Sequence, residues 1–146
     1  MNSSLKSRLD LELKVIGWVR SSIKSPAQAP KQEYEGAPDV WIDMEPAFKK
    51  AMHSLKPGAR YLILTWLHQA DRTCLQVHPR GNPNNPLMGV FSTRSPARPN
   101  PIGLHEVTLL EIRDSPPGLH VDHLETIDGT PVLDIKPCLK CDLPPP

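Results

Sequence analysis

Cysteine is scarce and badly spaced for a framework: Cys74, Cys138 and Cys141 are the only ones in 146 residues. An odd, irregular set excludes a disulfide-built scaffold. The single CxxC of Cys138 and Cys141 lacks the second knuckle or neighbouring histidines that a four-ligand zinc site needs, and it does not open a helix after an early strand as a redox pair would. Reduced, incidental thiols and no metal are the expectation. Long apolar runs are also missing. No window approaches the ~18 apolar residues of a membrane span, and none follows the opening MNSSLKSRLD, so a cytoplasmic protein without a leader or membrane segment is expected. There is no internal repeat. No G-x-G-x-x-G follows a first strand and no βαβ unit can be drawn, which excludes a dinucleotide-binding architecture. Lysine is absent between Arg60 and His105, where five arginines face one acid, Asp71.

That last absence reveals a segregation hidden by the net charge of +1. Residues 106–146 carry three basic and eight acidic side chains. Arginine without lysine suits a surface that grips phosphate or carboxylate, because the guanidinium fork matches both bidentately. A plain solvated face is the ordinary alternative. Proline, by contrast, is plentiful, at 18 residues. Few fall in the C-terminal tail, so most must brace turns of the folded body. The length suits one domain with a core of its own; residues 1–137 are read as that domain and 138–146 as a short proline-rich tail.

Alternation and β-branching make LELKVIGWV (11–19) a first strand, followed by a long loop from Arg20 to Gly36. VWIDM is a short strand. In EPAFKKAMHSL, Ala47, Phe48, Ala51, Met52 and Leu55 have helical spacing, Pro46 suits the first helical position, and Lys56-Pro57-Gly58 ends the element. RYLILTWLH (60–68) reads as a central strand buried on both faces. CLQVH is another short strand; HEVTLLEIRD and LHVDHLETI form an antiparallel pair around SPPG; an Asp-Gly turn then leads into VLDIKP. One helix cannot supply the crossovers of a parallel sheet. The class is therefore mainly β: a small closed or partly closed β-barrel of six or seven strands with one packed helix.

The hardest stretch to place is FSTRSPARPNPIGL, residues 91–104. Pro96, Pro99 and Pro101 fix their own φ and push Ser95, Arg98 and Asn100 toward extended backbone, removing much of the loop's freedom before folding. The donors so aimed are Arg94, Arg98 and Asn100, with the hydroxyls of Thr93 and Ser95. A rigid barrel corner would use the same residues. The string TRSPARPNPIG, preceded by Gly89-Val90-Phe91, resembles the signature of the TrmO family (TsaA-like or YaeB-like proteins). The resemblance extends to Val19-Arg20-Ser21, to Pro30-Lys31-Gln32 where the family has Pro-Arg-Gln, to His68-Gln69, and to Asp128-Gly129-Thr130-Pro131 with the strand after it. It covers about residues 11–139.

This resemblance implies an S-adenosyl-L-methionine-dependent methyltransferase on a β-barrel, usually a homodimer, whose longer bacterial members methylate N6 of threonylcarbamoyladenosine beside the anticodon of threonine tRNA. It further implies a cofactor pocket of Pro30, Lys31, Gln32, His68, Gln69, Arg94, Leu104, Ile127, Asp128, Gly129 and Thr130. Arg94 suits the methionine carboxylate, and Asp128 the amino or ribose end. Arg98 and Asn100 are expected on the substrate side. Asp128, His68 and Asn100 are the candidates for base or orienting roles, since an amide-like nitrogen must lose a proton. His68 is otherwise an ordinary core-edge histidine and Asp128-Gly129 an ordinary turn. His120 and His123, three apart on an expected strand, are assigned to opposite faces. Trp18, Trp41 and Trp66 are assigned to the core or a dimer interface. Two departures stand out: Lys31 replaces an arginine, and the longer members' C-terminal domain has no counterpart after Pro137. Methyl transfer to another small acceptor, a non-catalytic nucleotide- or RNA-binding barrel, and an interaction protein whose stiff loop is a dimer contact are the other readings.

Overall fold

In a computed structural model, residues 11–25 and 39–139 are described. The strands are β1 (Gly17–Arg20), β2 (Val40–Met44), β3 (Arg60–Trp66), β4 (Gln76–Val77), β5 (Met88–Gly89), β6 (Ile102–Arg113), β7 (Gly118–Val121) and β8 (Pro131–Pro137). Six of them form one antiparallel sheet in the order β1-β2-β7-β6-β3-β8, and β8 pairs back to β1, so the hydrogen bonds close into a ring. The remaining two, β4 and β5, make a separate small pair. No helix among the described residues is long and apolar enough to cross a membrane.

Period-two patterning fills the ring. Along β6, Gly103, His105, Val107 and Leu109 point inward while Ile102, Leu104 and Leu110 stay exposed. Val19, Ile42, Ile63, Leu119, Val121 and Val132 complete the interior from the other strands. Strand β3 is central, flanked by β6 and β8, but its burial alternates: Tyr61, Ile63 and Thr65 are inside and Leu62, Leu64 and Trp66 half-buried. The expected two-sided burial is therefore only partly met.

Three elements differ from expectation. The first strand begins at Gly17, and Leu11 and Leu13 lie exposed. The helix, with Pro46 in its opening position as expected, is a seven-residue 3-10 helix, Pro46–Met52. Three residues per turn align Met52 with Leu55 over the core and turn Ala47 and Ala51 to solvent. Strand β7 stops at Val121 because His123 takes φ 45°, which no strand accommodates. Asp122 marks the exit: its carboxylate accepts the Thr108 N–H at 2.6 Å and its own N–H donates to Thr108 O at 3.1 Å. His123 is thus off the strand, so the opposite-face argument for His120 and His123 does not apply.

Strand direction then decides where everything else goes. The ends Arg20, Val40, Trp66, Ile102, Val121 and Pro131 share one rim of the ring. The β1–β2, β3–β6 and β7–β8 connections all leave from that rim. Between β7 and β8, strands on opposite sides of the ring, residues 122–130 cross the mouth and bury Leu124, Thr126 and Ile127 in it.

Candidate active site at one rim of the ring

The loop entering β6 is fastened as well as stiffened. Arg98 donates to the carbonyl oxygens of Ser95 (2.9 Å), Val90 (3.0 Å) and Thr93 (3.2 Å). Its backbone N–H donates to Asp71 O at 3.0 Å, and Leu67 N–H to Pro101 O at 2.8 Å, which ties this loop to the turn leaving β3. Arg72 clamps the same joint: it lies over the Trp66 ring at 5.0 Å, donates to Pro99 O at 2.9 Å and reaches Asn100 Oδ1 at 3.3 Å. Arginine on an aromatic face keeps its planar fork free for such bonds. His68 and Gln69 are exposed in the adjoining turn. Arg94 is exposed too and, among the described residues, has no hydrogen bond or ion pair.

A second group forms around the Asp-Gly turn. Asp128 N–H donates to Ile23 O at 2.6 Å and Gly129 N–H to Val19 O at 2.8 Å. The Asp128 carboxylate accepts the Ser21 N–H at 2.9 Å and pairs with Lys24 at 3.1 Å. The Ser21 bond first, and Lys24 next, hold its pKa below the ordinary 3.8. An acid so stabilised as the anion is a weak proton acceptor, which favours an orienting role over a base. Gly129 has φ +82° and open space where a Cβ would be, so a ligand can approach the backbone. Thr130 is buried, with its hydroxyl bonded to Ile127 O at 2.7 Å.

His68, Gln69, Arg94, Arg98 and Asn100 are thus brought into one cluster, and Ile127, Asp128, Gly129 and Thr130 into another. No hydrogen bond joins the clusters directly among the described residues. Leu104 belongs to neither: it sits on the outer face of β6 opposite Leu64, 43% exposed. Pro30, Lys31 and Gln32 lie outside the described residues, as does Cys141. None of the three tryptophans is in the core. Trp41 stacks on His120 with Arg113 over its ring, Trp66 carries Arg72, and Trp18 donates to Glu45.

Sequence reasoning missed Thr65, Glu125, Asp71 and Arg72. Thr65 Oγ1 lies 2.8 Å from His105 Nε2, and His105 Nδ1 lies 2.9 Å from Glu125 Oε1, all in the mouth of the ring. The inward alternation of Gly103, His105 and Val107 was readable as a pattern; the partners were not. An open cleft of about 940 Å³ lies on the opposite rim, where Lys49, Lys50 and His53 of the helical segment face Ile112, Arg113 and Asp114. None of the expected cofactor or substrate residues lines it.

The donor set at the first rim suits an amino-acid-bearing nucleoside: an unpaired guanidinium for a carboxylate, an anionic turn for ammonium or hydroxyl groups, and an exposed apolar strand face. Comparisons with known proteins agree. The family model described as tRNA-methyltransferase O N-terminal domain matches residues 18–142. A protein of Methanothermobacter thermautotrophicus, named a probable S-adenosyl-L-methionine-binding protein, is 40% identical over 131 residues, which cover 90% of this chain and 92% of that one. An S-adenosyl-L-methionine-binding protein of Archaeoglobus fulgidus is 38% identical, covering 85% of this chain and 86% of its own length. Among solved structures, TrmO from Pseudomonas aeruginosa superposes with a TM-score of 0.67 at 28% identity, over 90% of this chain but only 57% of that one.

Proposed function

The chain belongs to the family of the tRNA-methyltransferase O N-terminal domain, and we propose that it is an S-adenosyl-L-methionine-dependent methyltransferase that acts on N6 of threonylcarbamoyladenosine in tRNA. The observation that carries this reading is topological. Every described segment expected to bind cofactor or substrate, apart from the outward Leu104, emerges at the single rim where β1, β3 and β7 end and β2, β6 and β8 begin.

Bound S-adenosyl-L-methionine supplies an electrophilic methyl group. The chain's own contribution is placement, which for an in-line transfer is most of the catalytic effect. Arg94 receives the carboxylate of the methionine moiety through its free fork. Asp128 orients ammonium or hydroxyl groups from the turn, with Gly129 leaving room for them, while Ile127 and Thr130 fix that turn from below. Gln69 bounds the pocket from the β3–β6 side; Pro30, Lys31 and Gln32, outside the described residues, are assigned to the cofactor by the family resemblance alone. Asn100, its carbonyl held by Arg72, would offer its amide donors to the acceptor base. Arg98 serves the substrate side through the loop's shape, since three carbonyl oxygens already occupy it. Of the candidates Asp128, His68 and Asn100, we assign the acceptor's proton to His68, exposed in the turn.

The protein works as a homodimer in this reading. Phe91 is 82% exposed, and Ile102 and Leu104 lie bare near it in sequence on the outer face of β6. A second copy laid over that face brings Leu104 into a pocket and shields apolar surface that a monomer leaves wet. The acceptor assignment is tested by incubating the protein with labelled S-adenosyl-L-methionine and total tRNA from cells lacking the gene. Label in the modified adenosine supports it; cofactor binding without incorporation moves the reading to another acceptor. Calorimetry that finds no binding of S-adenosyl-L-methionine overturns it.

A further inference from the structure

Among the described residues, a chain of buried polar groups that the proposed reaction does not use runs between the two site clusters. Thr65 is 0% exposed and His105 3%. Both sit on inward positions of adjacent strands, β3 and β6, and Glu125 reaches His105 from the segment that crosses the mouth. An ionised carboxylate only accepts, so Glu125 holds the proton of His105 on Nδ1, and Nε2 is left to accept from the Thr65 hydroxyl. Glu125 Oε2 has no hydrogen-bond partner among the described residues and is shielded from solvent. The His105 contact is therefore the main polar anchor of that side chain, and a buried polar group with one partner is costly to release.

Gly103 adds an independent sign that the arrangement is built in. A Cβ there would run into both Thr65 Oγ1 and His105 Nε2. This glycine ends the TRSPARPNPIG string, so its lack of a side chain makes room for the Thr65–His105 bond, beyond any need of the loop itself. Two residues past Glu125 begins the Ile127–Thr130 turn. At the other end, Thr65 lies three residues before His68.

We propose that His105 is a positioning residue: through Thr65 and Glu125 it latches the mouth-crossing segment to β3 and β6, and so holds the Ile127–Thr130 turn in the pose in which it meets a nucleoside ligand. The proposal rests on the cofactor reading above for the identity of that ligand, but the latch itself is testable without any ligand. Amide hydrogen exchange on the full chain is the readout. In Glu125→Ala the amides of Asp128 and Gly129, which donate to Ile23 and Val19, should exchange about tenfold faster, a hydrogen bond's worth of local opening. Amides inside β3 and β6 should not follow. Glu125→Gln keeps a carbonyl oxygen for the Nδ1 proton and should restore most of the protection. Thr65→Val, nearly the same shape without the hydroxyl, should loosen the turn in the same direction.

Ring-nitrogen NMR at mildly alkaline pH gives a second test that a packing role would not move: His105 should carry its proton on Nδ1. A proton on Nε2, or turn amides in Glu125→Ala that exchange no faster relative to β3 and β6 than in the parent, overturns the latch. Calorimetry with S-adenosyl-L-methionine then tests the dependent half, with Glu125→Ala expected to bind about tenfold more weakly and Glu125→Gln close to the parent. Should the parent protein bind no S-adenosyl-L-methionine, the cofactor reading fails while the exchange data still decide the latch.

Discussion

The guanidinium of Arg98 reaches the carbonyl oxygen of Val90 at 3.0 Å, eight positions back along the chain. One side chain thereby closes a loop whose prolines have already narrowed its backbone. Arg98→Ala should lower stability by about 2 kcal/mol, the scale of charge-assisted hydrogen bonds lost together. Arg98→Lys should recover little, because a single ammonium cannot span three carbonyl oxygens. Denaturant melts of the two variants check this; a lysine variant as stable as the parent would show that the fork is not needed.

Arg94 is the counterpart, on the same loop but held by nothing described. Arg94→Ala should leave stability within about 0.5 kcal/mol of the parent, as for most exposed sites, yet abolish S-adenosyl-L-methionine binding in calorimetry. Loss of both fold and binding would assign Arg94 to the scaffold.

Gly103→Ala should cost about 1–3 kcal/mol, the range of an overpacked core, since the new methyl meets Thr65 and His105. Gly89→Ala is the control, with ordinary φ −62° and open space around it, and should melt near the parent temperature.

Acid stability should depend on two aspartates. Asp43 accepts from Arg20 at 2.8 Å and Arg113 at 2.7 Å, and the Arg20 hydrogen bond leads in holding its pKa below 3.8; Asp128 is depressed by Ser21 and Lys24. A carboxylate with a lowered folded pKa stabilises fully above its unfolded value, and that contribution fades as pH falls through the folded one. Asp43→Asn and Asp128→Asn should therefore be less stable than the parent at neutral pH and lose less on acidification below about 4. Urea midpoints at neutral and strongly acid pH measure both differences, and parallel losses in parent and variants would contradict the assignment.

On the proposed homodimer, in which exposed Phe91 lies at the contact, Phe91→Arg should lower the mass in light scattering to that of a monomer while its melting temperature at low concentration barely changes. A parent protein that is already a monomer, or a variant of unchanged mass, would overturn this contact.

Much of this was legible in the chain because local physics and tertiary context agree there. VWIDM and RYLILTW form strands where alternation and β-branching say they should, and Pro46 opens the helical segment where its fixed φ suits it. What stayed hidden depends on distant partners. LHVDHLETI reads as one strand until Asp122 bonds to Thr108 and turns the chain across the mouth. Arg72 looked like one more surface arginine; its role needs Trp66 beneath it and Pro99 beside it. Glu125 sits in the mixed segment VDHLETIDG, where one more carboxylate draws no notice, and its partner is a histidine 20 residues away.

Strand β8 starts at the crowded rim and ends, at Pro137, on the other one. That rim also carries the Asp114–Pro117 hairpin, and Cys138 N–H donates to Arg60 O there at 3.1 Å. Changes confined to that rim, such as in the Asp114–Pro117 hairpin, should leave the mouth's geometry intact.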